Sequence, residues 1–86
     1  MIKPGDKVRI LNVDALLNAA RFNDYEVIKH KDGYEILTRN VGFTTDMNKF
    51  CGMDAYITHV YEFRGNFLLS ISLNYLFEEW MIYGNI

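Results

Sequence analysis

Hydrophobic and polar residues alternate along Lys7-Val8-Arg9-Ile10-Leu11, with Val8 and Ile10 on one face and Lys7 and Arg9 on the other. That two-residue period predicts a half-buried strand, launched by the turn Pro4-Gly5-Asp6. Between Asn12 and Arg21 the spacing changes: Leu16, Leu17, Ala19 and Ala20 fall at helical intervals, and Asp14 stands where an N-cap is needed. Residues 25–31 and 34–38 are β-prone runs on either side of Asp32-Gly33. A type I′ turn requires positive φ at both central residues, which Asp-Gly tolerates, so the two runs predict a hairpin. Thr44 or Thr45 can open a second short helix through Phe50, with Gly52 as its left-handed stop. Residues 55–61 are β-branched and aromatic and read as strand; Arg64-Gly65-Asn66 turns them into 67–72, where Phe67, Leu69 and Ile71 share a face. Leu73-Asn74 breaks that run, and residues 75–82 supply a last short element. Short strands with frequent turns predict an all-β chain rolled into one small barrel.

Length and composition narrow the class. The 86 residues leave room for one domain, and a chain of this size buries roughly 60–65% of the surface its unfolded form exposes. Half the residues are hydrophobic and 15% aromatic, which argues against disorder. Six Phe, six Tyr and one Trp exceed what so small a core needs, so some rings are expected to face outward for recognition. The net charge is −2 with both signs interspersed, leaving no basic stripe to track phosphates. No stretch approaches the ~20 apolar residues that span a bilayer. Residues 1–6 lack the apolar stretch of a signal peptide. With a single cysteine, Cys51, these features lead to the expectation of a cytoplasmic, reducing setting.

Four segments carry a family resemblance. Lys3-Pro4-Gly5-Asp6-Lys7-Val8-Arg9-Ile10 resembles the opening strand of many SH3-like barrels. Thr45-Asp46-Met47-Asn48-Lys49-Phe50-Cys51-Gly52, followed by Ala55-Tyr56-Ile57-Thr58, resembles a pattern found in small SH3-like proteins of Gram-positive bacteria and their phages. Those proteins are similar in turn to the mind bomb type of SH3-like domain. In them a hairpin and an aromatic segment ending in Glu-Glu-Met-hydrophobic follow, a place taken here by residues 67–82 with Glu78-Glu79-Trp80-Met81-Ile82. Met53 stands where the pattern has Lys, and Trp80 where it has Met. The resemblance spans residues 3–11 and 42–82; residues 12–41 read as an enlarged first loop carrying its own hairpin and one or two short helices. It implies an SH3-like barrel and, because the fold hosts many tasks, implies little about function.

Candidate chemistry is sparse. Cys51 and His59 are the one nucleophile–base pair available, but a dyad also needs an orienting group and an oxyanion pocket. The plainer reading packs Cys51 as a small hydrophobe and leaves His59 on a sheet surface. Two histidines far apart in sequence and one cysteine do not supply tetrahedral zinc ligands, and no D-x-D-x-D-G loop suits calcium, so neither metal nor cofactor is expected. Glu78-Glu79 could be paired carboxylates, yet neighbours on a strand point opposite ways, which favours a solvated face. No phosphate-binding glycine loop or nucleophile elbow is present.

Recognition is the remaining expectation. Tyr25, Tyr34, Phe43, Tyr75 and Trp80 lie in or beside connections, where SH3-like folds dock extended peptides on aromatic rings. Phe43 and Trp80 have a second reading, as plugs closing the barrel ends. The sequence therefore leads to the expectation of a non-enzymatic protein-binding module, in its most specific form a small phage-encoded inhibitor of a host defence protein. The alternative is a single-stranded nucleic-acid binder, with Lys29, Lys31, Arg39, Lys49 and Arg64 beside Tyr34 and Phe43.

Overall fold

The alternating positions at the start of the chain form β1 (Lys7–Ile10), with Val8 and Ile10 fully buried. The computed structural model describes residues 2–64, 66–71 and 75–85. After β1 come α1 (Val13–Phe22), the hairpin β2 (Glu26–His30) and β3 (Gly33–Leu37), and a 3-10 helix (Thr45–Phe50). Then follow β4 (Asp54–Phe63), β5 (Asn66–Ile71), β6 (Tyr75–Glu78), a short 3-10 helix (Glu79–Met81) and β7 (Ile82–Asn85). The architecture is mainly β: a five-stranded antiparallel sheet in the order β6-β5-β4-β1-β7, plus the separate β2–β3 hairpin. The break expected at Leu73-Asn74 lies outside the described residues.

β4 joins the two halves of the sheet. Its first residues pair with β1, Lys7 opposite Tyr56 and Arg9 opposite Asp54, while its later residues pair with β5 from Ile57 to Phe63. Between Ile57 and His59 the register shifts. That bulge moves the inward positions from Ala55 and Ile57 to Val60, and turns His59, Tyr61 and Phe63 outward. The core gathers Val8, Ile10, Ile57, Leu69, Ile71 and Phe77 from the sheet under Leu16, Leu17 and Ala20 of α1. Ile36, Phe43 and Met47 join it from the connection between β1 and β4.

Three local expectations are corrected. The cap of α1 is Asn12, whose Oδ1 accepts from the Ala15 N–H at 2.8 Å; Asp14 lies in the first turn, where its charge still suits the helix N-terminus. The hairpin turn is one residue earlier than expected, because His30 pairs with Gly33 and leaves Lys31-Asp32 as the connection. Gly33 is required for another reason. A Cβ there would stand 2.7 Å from Asn48 Cγ, whose carboxamide accepts from the Tyr34 N–H at 3.1 Å and donates to the Tyr34 carbonyl at 2.8 Å. Asn48 thus binds the hairpin to the 3-10 helix as a neighbouring strand would.

The third correction is Glu78. It is 2% exposed, not solvated. Its Oε2 accepts from Thr38 Oγ1 at 2.6 Å and from the Gly42 N–H at 2.8 Å, and its Oε1 accepts from Trp80 Nε1 at 3.1 Å. Buried carboxylates persist only when their lone pairs are occupied in this way. Thr38 Oγ1 also accepts from the Asn40 N–H at 3.1 Å, so one carboxylate organises the whole 38–42 loop against the sheet. The loop then delivers Phe43 to the core, where it exchanges two backbone hydrogen bonds with Ile36.

Candidate functional site

The outward positions of β4 and its neighbours carry exposed aromatic rings. Tyr56 is 55% exposed and Tyr83, on β7, 54%. Past the bulge, His59 stacks on Tyr61 with centroids 5.9 Å apart and planes 19° from parallel. Phe63 ends the strand with the Arg64 guanidinium 5.0 Å from its ring. Leu76 of β6 is exposed, and Leu68, opposite Tyr61, is buried.

Two cations and one carboxylate sit among these rings. Arg9 grips Asp54 through Nε at 2.7 Å and a second nitrogen at 3.3 Å, and Lys7 Nζ stands 4.0 Å from the same carboxylate. The hydrogen bond from Arg9 holds the Asp54 carboxyl below its ordinary range, and the partnership raises the Arg9 guanidinium. The two bonds orient the Arg9 guanidinium toward Asp54 on the neighbouring strand.

The aromatic residues expected to bind a partner fall elsewhere. Phe43 is 1% exposed within the core and is removed from any binding surface. Tyr25 and Trp80 meet at 5.3 Å and 48°, Tyr75 meets Phe50 at 5.2 Å and 56°, and Tyr34 lies under Lys29 at 4.8 Å. All four are half-buried and packed against the core, and among the described residues no ring contact links one group to the next. Tyr25 borders a polar hollow with Asp24, Glu26, Thr38 and Arg39. The basic residues Lys29, Lys31, Arg39, Lys49 and Arg64 are spread over the hairpin, the following loop, the 3-10 helix and the tip of β4.

Cys51 is half-buried, and that burial pushes its thiol up, away from the reactive thiolate. His59 is exposed and engaged with Tyr61, and no hydrogen bond joins it to Cys51 among the described residues. Among the described residues no group of three or more His, Cys, Asp or Glu is placed to hold a metal ion. No described helix is long and apolar enough to cross a membrane.

No family model matches this chain, and no curated protein or solved structure matches it significantly. Sequence reasoning missed Tyr56, Tyr61, Phe63 and Tyr83. Tyr56 had a usable signal, lying between the inward-facing Ala55 and Ile57. Tyr61 and Phe63 had none, because simple alternation assigns them to the same side as Ala55 and Ile57, and only the bulge reverses them.

Proposed function

We propose that this chain is a non-enzymatic protein-binding module that docks through the outer face of its sheet. The observation that carries the reading is the row of exposed rings Tyr56, Tyr61 and Phe63 at the outward positions of β4, with Tyr83 exposed on β7. Tyrosine and phenylalanine are enriched at protein interfaces because each adds large area for little conformational entropy. Charges of both signs are mixed into the face, as in a surface that meets another protein.

The alternative, a single-stranded nucleic-acid binder, has rings to stack bases, but two of the three cations beside them among the described residues are engaged by a carboxylate. Lys7 and Arg9 both lie against Asp54, whereas nucleic-acid affinity comes mainly from neutralising phosphates. We further propose an SH3-like barrel. The order β6-β5-β4-β1-β7 supports it, as does a 3-10 helix that carries the last strand across to β1. The phage inhibitor of a host defence protein remains our most specific version and rests on the sequence resemblance alone.

The test is capture of a partner from nuclease-treated bacterial lysate by the wild-type chain and by a Tyr56→Ala, Tyr61→Ala variant. Loss of the captured protein at an unchanged melting temperature supports the reading. Unchanged capture would move the binding face elsewhere, and capture that nuclease abolishes would favour nucleic acid.

A further inference from the structure

On the opposite side of β4 lies a feature that the aromatic face does not use. Ile2, Val60 and Phe67 enclose a mostly apolar pocket of about 240 Å³, and Glu79 stands among its lining residues. This is smaller than the roughly 300–1,000 Å³ of small-molecule sites and suits one long side chain. Phe67 is 45% exposed despite facing inward along β5, because the tip of the β4–β5 hairpin runs past the core. Glu62 pairs directly with Phe67, which puts its side chain on the pocket side of the strand. Glu62 and Glu79 are exposed, and neither has an ion-pair partner among the described residues.

The backbone beside the pocket is also open. Pairing of β4 with β1 ends at Tyr56, and bonds with Gly5 and Asp6 extend it to Ile57. From His59 to Phe63 the strand pairs with β5 alone among the described residues. Phe63 and Asn66 flank a tight turn, so they form a hydrogen-bonded pair, and Tyr61 and His59 follow in alternation. Val60 and Glu62 consequently aim their N–H and C=O groups away from β5.

Resting on the reading of a protein-binding module, we propose that an extended segment of the partner protein adds along this edge of β4 and inserts an arginine or lysine side chain into the pocket. The aliphatic stem packs on Ile2 and Val60, the cation meets the face of Phe67, and Glu79 and Glu62 neutralise its charge. Strand addition supplies main-chain hydrogen bonds, and the pocket selects the side chain. An acidic residue at the same place meets two uncompensated carboxylates and is rejected.

The test uses the full isotope-labelled chain and three acetylated, amidated probe peptides, Thr-Val-Arg-Val-Thr and its Leu- and Glu-centred counterparts, followed by NMR titration. The arginine peptide is expected to give saturable shifts at Val60, Glu62, Phe67 and Glu79, with the Glu-centred peptide at least tenfold weaker and the Leu-centred peptide in between. Glu79→Lys should reverse the order of the two charged peptides, and Glu79→Gln should weaken the arginine peptide several-fold; melting curves confirm that both variants fold. Absence of saturable shifts there, equal binding of all three peptides, or indifference to Glu79→Lys overturns the proposal. Lysate capture separates it from the reading beneath it. If Glu79→Lys keeps the partner while the tyrosine variant loses it, the outer face stands and the pocket falls; if neither variant changes capture, both binding surfaces fall.

Discussion

Replacing Glu78 with glutamine exchanges one oxygen for an amide nitrogen, and the structure says where that matters. The carboxylate accepts three hydrogen bonds, from Thr38 Oγ1, the Gly42 N–H and Trp80 Nε1. A carboxamide can keep its oxygen toward Thr38 and Gly42, but its NH2 group then faces the Trp80 N–H, donor against donor. Alternatively the amide turns, and the Gly42 N–H loses its acceptor. Either arrangement leaves one donor unsatisfied, at about 1–3 kcal/mol. Glu78→Ala removes all three acceptors and should cost about 3–5 kcal/mol, comparable to breaking a buried charged network. At ~0.05–0.15 kcal/mol per residue, a chain of 86 residues has about 4–13 kcal/mol of stability in total. The alanine variant therefore sits near the limit of folding. Urea unfolding followed by the fluorescence of Trp80, the single tryptophan, reads both stability and the local bond. A glutamine variant within about 0.5 kcal/mol of wild type would refute the view that this carboxylate holds the 38–42 loop.

Three further outcomes are expected. Ile57→Asp should unfold the chain, as judged by circular dichroism, since it places an unpaired charge in the core beside the bulge. Gly33→Ala should lower the unfolding free energy obtained from urea titration by about 1–3 kcal/mol through collision with Asn48 and a φ of +145°, and pairing it with Asn48→Ala should recover part of the loss. Cys51 should alkylate with iodoacetamide more slowly than a free thiol near neutral pH. Because burial raises its folded pKa above the unfolded value, its contribution to stability is complete below the unfolded pKa and is lost as pH rises through the folded one. Rapid alkylation at neutral pH would contradict that burial.

The sequence by itself determined the elements that depend on near neighbours. Alternation at Val8 and Ile10, the helical spacing of Leu16, Leu17 and Ala20, and the β-prone runs around Gly33 all appear in the folded chain. Each reflects a local period or a short-range backbone preference. Tertiary structure decided what contacts across the chain impose. Gly33 serves the approach of Asn48, fifteen residues on, more than the turn beside it. Glu78 is buried because donors from residues 38 and 42 converge on it, an arrangement that nothing in Glu78-Glu79 announces. The aromatic face depends on one extra residue at the bulge in β4. A strand's side chains alternate strictly, so one insertion exchanges inside and outside for every residue beyond it, and Tyr61 and Phe63 reach the surface while Val60 turns in.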